Sequence, residues 1–239
     1  MNARSLPSSD ALCLPLDVSK SEQGAPHRRL GAVKNGQRFP RFSGRARVKK
    51  LVQDYRFRIA TWNIGTLTGR TMELVDVMIR RRVSIACIQE TKWTGEKARE
   101  IEDTGFKLYY SGKDRRRNGV GIIIAKGLVK SVVAVTRKGD RIMLVKLVIG
   151  GNIVNIISAY APQIGLDDQT KRDFWEQMDE ILQEIPVGEN LVIGGDFNGH
   201  VGIDKVGYER VHGGYGFGDR NEAGERILDF ALASDLVVV

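Results

Sequence analysis

The stretch LVIGGDFNGHVG, residues 191–202, sets a short apolar run directly against a carboxylate and an amide. Residues 191–195 read as a buried strand, because the run is only a few residues long and is bounded by glycine. Asp196 and Asn198 follow where the strand gives way to loop. The same arrangement recurs upstream. Asn63 follows the apolar segment 59–62, Glu90 follows 85–88 with Gln89 between, and Tyr160 follows 153–159. In α/β proteins such groups are held rigidly by their strands while their tips face a shared crevice. Four strand ends carrying a carboxylate, an amide or a phenol make a candidate site.

The flanking sequence supports an α/β arrangement. Strands are predicted over 57–62, 83–88, 106–110, 120–125, 129–136, 141–149 and 153–160, with turns at Gly139 and at Gly150 and Gly151. Residues 71–82 place Leu74, Val75, Met78 and Ile79 on one helical face. Residues 168–184 repeat the pattern with Phe174, Met178, Ile181, Leu182 and Ile185, and Pro186 and Gly188 end that helix. A further helix is predicted over 221–234, and residues 236–239 (LVVV) begin another strand.

Each candidate residue also has a plain structural reading. Asn63 could cap a turn, Glu90 could be a solvated loop acid, Tyr160 a core ring with a wet hydroxyl, and Asp196 a cap on the Gly-Gly turn. Singly, those readings win. Together, in this order and spacing, the site reading wins.

Charge divides the 239 residues into three parts. Residues 1–58 carry 13 Lys/Arg against 4 Asp/Glu, residues 59–150 carry 18 against 9, and residues 151–239 carry 6 against 16. The net +8 therefore comes from the first segment, and the remainder is close to neutral. Residues 1–55 show no sustained period and are expected to be a disordered basic tail, leaving one domain over 56–239. No apolar run approaches the ~20 residues that span a bilayer. Two cysteines, Cys13 and Cys87, exclude a disulfide scaffold. Cys87 reads as a small core residue. The first residues make a poor secretory signal, and a nuclear or cytoplasmic location is expected.

TWN at 61–63, QET at 89–91, SAYAP at 158–162 and GGDFN at 194–198 resemble the endonuclease/exonuclease/phosphatase superfamily. GDFNGHVG at 195–202, VHGGYGFGDRNEAGERILDFA at 211–231 and YSGKDRRRNGVGI at 110–122 resemble a narrower group. That group is the craniofacial development protein 2-like proteins, related to the endonuclease domains of RTE-class (BovB-like) non-LTR retrotransposons. The resemblance covers residues 57–239. It implies a four-layer α/β sandwich of the DNase I-like kind, two mixed sheets face to face with helices outside.

The resemblance also implies roles. Glu90 would bind Mg²⁺, with Mn²⁺ as a substitute, and Asn63 beside it would be a second metal ligand. Asp196 would orient or deprotonate the attacking water, Asn198 would hydrogen-bond a phosphate oxygen, and Tyr160 would contact the phosphate. Asn221 would touch the DNA backbone near the scissile bond. Arg115 and Arg116, in the basic loop 113–117, would suit a duplex backbone. The plain reading of that loop is a solvated hairpin.

The superfamily pattern includes a later Asp and a final His. Here the histidines are His27, His200 and His212, and the last two read as loop residues that pack or hydrogen-bond locally. The domain is therefore expected to be C-terminally truncated and weakly active or inactive, with an exposed sheet edge. The implied function is a Mg²⁺-dependent DNA endonuclease-type domain of retrotransposon origin, acting as a monomer on DNA and not on membranes. Two alternatives stand beside it: a phosphomonoesterase of the same superfamily, and a non-catalytic remnant that binds nucleic acid or protein.

Overall fold

A computed structural model of the chain describes residues 56–239. The expected tail, 1–55, lies outside the described residues. Two sheets carry the fold. The first is built from β1 (Ile59–Asn63), β2 (Ile85–Gln89), β3 (Gly95–Glu100), β4 (Lys107–Gly112) and β5 (Val120–Ile124), in the spatial order β1-β2-β5-β4-β3. The second is built from β6 (Val132–Lys138), β7 (Ile142–Ile149), β8 (Asn152–Tyr160) and β9 (Asn190–Asp196), in sequential order.

Most neighbours are antiparallel, but each sheet has one parallel pair at one edge. β1 runs parallel to β2, joined by helix α1 (Thr71–Arg81), and β8 runs parallel to β9, joined by helix α3 (Asp168–Gln183). Parallel strands need a crossover of this kind, and they end on the same side of the sheet. The four strand ends singled out in the sequence are the ends of these two pairs. In the second sheet Tyr160 and Asp196 are register partners, and in the first Asn63 pairs with Gln89.

The sheets face each other. The Cys87 thiol donates to the Ile157 carbonyl oxygen at 3.6 Å, and Gln89 Nε2 donates to Ser158 Oγ at 3.2 Å. Outside the first sheet, Leu74, Val75 and Met78 of α1 pack on Ala86, Ile88, Leu108 and Ile123. Outside the second, α3 and α4 (Glu222–Ala233) lay Phe174, Met178, Ile181, Ile227 and Leu228 on Leu144, Ile157 and Ile193. This is the four-layer α/β sandwich expected. The α3 start is fixed by Asp167, whose Oδ1 accepts from the Thr170 N–H at 2.8 Å. Met178 is fully buried between α3 and the sheet. Met178→Ala is expected to lower stability by about 2–5 kcal/mol, read in a denaturant melt.

Three elements differ from the sequence reading. β3 (GEKARE) was not expected, because it is polar and almost entirely exposed; it exists by pairing as an edge strand with β4. The strand expected over 129–136 begins later, since Lys126–Val129 form the short helix α2. Residues 236–239 do not form a strand. Val238 makes one parallel bridge to His212, a loop residue with no strand neighbours to extend the ladder. β1 and β9 each have a single neighbour among the described residues. No helix among these residues is long and apolar enough to cross a membrane.

Candidate active site

Four side chains from four strand ends meet around one amide. Asn63, ending β1, donates from Nδ2 to Glu90 Oε1 at 2.9 Å and to Asp196 Oδ2 at 2.8 Å. Its Oδ1 accepts from the Gly65 N–H at 3.1 Å. The Tyr160 hydroxyl donates to the same Glu90 Oε1 at 2.8 Å. Lys92 Nζ lies 3.3 Å from the other oxygen, Oε2. Two carboxylates from different sheets are thus held on one amide. That arrangement needs the sheets to face each other and both parallel pairs to end on the same side.

The backbone shapes the site as well. Glu90, Lys92 and Asn198 have φ of 56°, 53° and 50°, a left-handed conformation that costs a non-glycine residue roughly 1–2 kcal/mol. The break after Gln89 turns Glu90 out of strand geometry and brings Lys92 back onto it. Asn198 donates its backbone N–H to Asp196 Oδ1 at 3.0 Å and its Nδ2 to the Ala161 carbonyl at 2.8 Å. Both Asp196 oxygens are therefore positioned. Behind the site Gln89 is fully buried and joins the sheets, accepting from Thr61 Oγ1 at 3.3 Å and donating to Ser158.

Electrostatics follow from these contacts. Burial pushes the Glu90 carboxyl up, but hydrogen bonds from Asn63, Tyr160 and Lys92, with the Lys92 charge, outweigh it and hold the group below its ordinary 4.5. Burial and the hydrogen bond to Glu90, with the nearby Glu90 and Asp196 charges, push the Tyr160 phenol well above its ordinary range. Glu90 is therefore the anion and Tyr160 the neutral donor. A carboxyl lowered on folding contributes stability above its unfolded value, lost as pH falls through the folded value. Tyr160→Phe removes one donor, so the Glu90 midpoint is expected to rise toward 4.5, measured by carboxyl ¹³C NMR titration; an unchanged midpoint would show that the hydroxyl does not hold the charge.

A cleft of about 340 Å³ opens over Glu90 and Tyr160, rimmed by Lys92, Arg116, Arg117 and Arg141. Of the two loop arginines expected to meet DNA, Arg116 lines this cleft and Arg115 does not. Arg116 and Arg117 both pair with Asp114, at 3.3 and 3.7 Å. Asn221 is the N-cap of α4; its Oδ1 accepts from the Gly224 N–H at 2.8 Å and the His200 N–H at 3.0 Å. It therefore ties α4 to the loop that follows Asn198.

Lys92, Arg117 and Arg141 were not singled out as site residues. Arg141 immediately precedes β7, opposite Tyr160, packs over its ring at 5.3 Å and donates to the Tyr160 carbonyl at 3.1 Å. Only the β7–β8 register reveals that placement. The signal for Lys92 was local, a cation two residues beyond Glu90.

Glu90 and Asp196 offer oxygen donors alone, and a hard cation that keeps several waters, such as Mg²⁺, suits so small a donor set. Among the described residues no three His, Cys, Asp or Glu side chains gather as a cation site. The residues present fit a weakly held, mostly hydrated cation on Glu90. Asn63 turns its amide nitrogen, not its oxygen, toward the two carboxylates.

Comparison with known proteins identifies the family. The model of the Endonuclease/Exonuclease/phosphatase family matches residues 60–239. The chain belongs to the endonuclease/exonuclease/phosphatase family. It is 30% identical over 182 residues to craniofacial development protein 2 of Bos taurus, covering 75% of this chain and 30% of that protein. The chain spans less than half the length of the curated relatives it matches. Its fold is similar to an AP endonuclease from Archaeoglobus fulgidus, with a TM-score of 0.53, 21% identity, and coverage of 74% of this chain and 70% of that one. The endonuclease domain of TRAS1, a telomere-specific non-LTR retrotransposon, aligns with a TM-score of 0.49, 14% identity, and coverage of 75% and 71%. The family read from TWN, QET, SAYAP and GGDFN is the one matched, and its DNase I-like α/β fold is the one observed.

Proposed function

We propose that this chain is a Mg²⁺-dependent endonuclease-type domain of retrotransposon origin that hydrolyses DNA phosphodiesters as a monomer, with Mn²⁺ able to replace Mg²⁺. The observation that carries the reading is the Asn63 amide holding Glu90 and Asp196 together. The AP endonuclease that shares the fold accords with DNA as substrate.

Glu90, kept ionised by its three donors, would hold the cation. The chemistry a divalent cation supplies when bound is neutralisation of charge on the scissile phosphate and the leaving oxygen. Asp196 orients the attacking water and accepts its proton, and Asn63 and the Asn198 backbone N–H keep that carboxylate aimed. Asn198 has a second Nδ2–H for a phosphate oxygen, stabilising charge as it builds on the transferring phosphate. Tyr160 donates to the phosphate or to Glu90. Arg116, Arg117 and Arg141 line the approach and meet flanking phosphates. Asn221, with Oδ1 engaged, offers Nδ2 to the DNA backbone.

The experiment sets a duplex oligonucleotide beside a 3′-phosphorylated one and p-nitrophenyl phosphate. Internal cuts in the duplex with Mg²⁺, without phosphate release from the monoesters, are expected. Phosphate release without internal cuts would replace this reading with a phosphomonoesterase. DNA binding with neither reaction would replace it with a non-catalytic remnant.

A further inference from the structure

Arg141 stands just before β7, and its side chain folds back over the end of β8. The register sets it there: next to the Ile142–Ala159 pair, the Tyr160 N–H donates to the Arg141 carbonyl at 2.8 Å. The guanidinium then returns to the same strand end. Its Nη1 donates to the Tyr160 carbonyl at 3.1 Å and to the Ala161 carbonyl at 3.3 Å. Both Nη1 hydrogens are spent on these two oxygens. The guanidinium carbon lies over the Tyr160 ring, 5.3 Å from its centroid, close enough for a cation–π contact. The side chain is half-buried, and burial works against its charge. A cation is withdrawn from water in this way where fixed acceptors replace the water.

The Ala161 carbonyl is a shared acceptor. Asn198 Nδ2 donates to it at 2.8 Å, so Arg141 and Asn198 take its two lone pairs. The Ala161 N–H in turn donates to the Asp196 carbonyl at 2.9 Å. One guanidinium thus stands behind two neutral donors of the candidate site. It reaches the Tyr160 hydroxyl through that residue's ring and carbonyl, and it reaches the Asn198 amide through the Ala161 oxygen. Arg116 and Arg117 line the same cleft but are held differently, since they are exposed and pair with Asp114 inside their own loop.

We infer that Arg141 is a positioning residue, acting on the reaction through Tyr160 and Asn198. Its fork fixes the end of β8 and the turn after β9 against each other, so that the phenol and the amide face one phosphate. A lysine at this position would carry the same charge and attract the same phosphates. Its ammonium is a point charge on a flexible stem, and it cannot lie over the ring while holding two carbonyls. Position 141 therefore supplies geometry as well as charge, and a donor misplaced by about 1 Å can lower turnover about a hundredfold. The inference rests on the hydrolysis reading above and goes beyond the phosphate contact given to Arg141 there.

The test compares Arg141→Lys with the unsubstituted chain 1–239 in steady-state cleavage of a duplex oligonucleotide with Mg²⁺. The Asn198 side-chain amide is followed by ¹H–¹⁵N NMR in the same proteins without DNA. In Arg141→Lys, kcat is expected to fall about ten- to a hundredfold while KM stays within about twofold. The Asn198 Nδ2 signals are expected to move. Arg141→Lys/Asn198→Ala is expected to cleave no more slowly than Asn198→Ala, because the two side chains act through one contact. A reciprocal measurement needs no change at 141: in Asn198→Ala the Arg141 guanidinium signals are expected to move as well. An unchanged kcat in Arg141→Lys would show that charge suffices and overturn the inference. Effects of the two substitutions that multiply, or amide and guanidinium signals that stay in place, would overturn it too, and each of these leaves the hydrolysis reading intact. Absence of cleavage by the unsubstituted chain would overturn the hydrolysis reading and this role with it.

Discussion

Glu90→Ala is expected to lower divalent-cation-dependent cleavage by at least about a hundredfold, because residues that act as a unit fail together. The carboxylate is the acceptor on which Asn63, Tyr160 and Lys92 converge. Its loss removes the anion that would hold the cation, frees the Lys92 ammonium into the cleft, and leaves the Tyr160 hydroxyl without its acceptor. Glu90→Gln separates charge from shape. The amide oxygen can still accept from Asn63 and Tyr160, so the domain should fold and bind DNA as before, while cleavage falls as far as in Glu90→Ala. Because Glu90 stays ionised below the ordinary carboxylate value, the acid limb of the rate should fall off only below about pH 4.5 in the unsubstituted chain. Cleavage by Glu90→Gln within a few-fold of the original would remove Glu90 from the chemistry.

Gly224→Ala is expected to destabilise the domain, although helix propensity alone points the other way. In a solvated helix the exchange gains about 0.8–1 kcal/mol. Here a Cβ would fall 1.8 Å from the His200 carbonyl oxygen and 2.8 Å from the Val201 nitrogen. Both are backbone atoms in the neck of the loop 200–221, where His200 meets Asn221, and cannot swing aside. The Gly224 N–H is also the donor that fixes Asn221 Oδ1, so a shift of α4 loosens the His200–Asn221 closure as well. Overpacking with backbone displacement costs about 1–3 kcal/mol beyond that lost gain, and a domain of this size should melt roughly 2–12 °C lower. A melting temperature equal to or above that of the unsubstituted chain would show that α4 does not press on the neck.

Much of this was legible in the sequence, for a physical reason. Strands such as 153–160 and helices such as 168–184 bury continuous or periodic apolar sets, and that signal is local. The strand-end residues Asn63, Glu90, Tyr160 and Asp196 were legible because each follows an apolar run at a break. Their convergence was not, since it depends on two parallel crossovers that bring β1, β2, β8 and β9 to one side. β3 was hidden because its six residues carry no apolar alternation and are held by β4 alone. Arg141 was hidden because only the β7–β8 register sets it over Tyr160. Residues 236–239 read as a strand from composition, yet a ladder needs a neighbour, and His212 offers one residue. Asn221 was read as a DNA contact from a motif; its cap on α4 is the role the local contacts add.

The central claim is that the Asn63-centred pair of Glu90 and Asp196 performs divalent-cation-dependent phosphodiester hydrolysis. Nicking of supercoiled plasmid by chain 1–239 tests it most directly, run with Mg²⁺, with EDTA, and with Glu90→Ala and Asp196→Ala in parallel. The expected result is slow nicking with Mg²⁺ that vanishes in EDTA and in both variants. Nicking that survives either substitution, or none from the unsubstituted chain with Mg²⁺ or Mn²⁺, would contradict it.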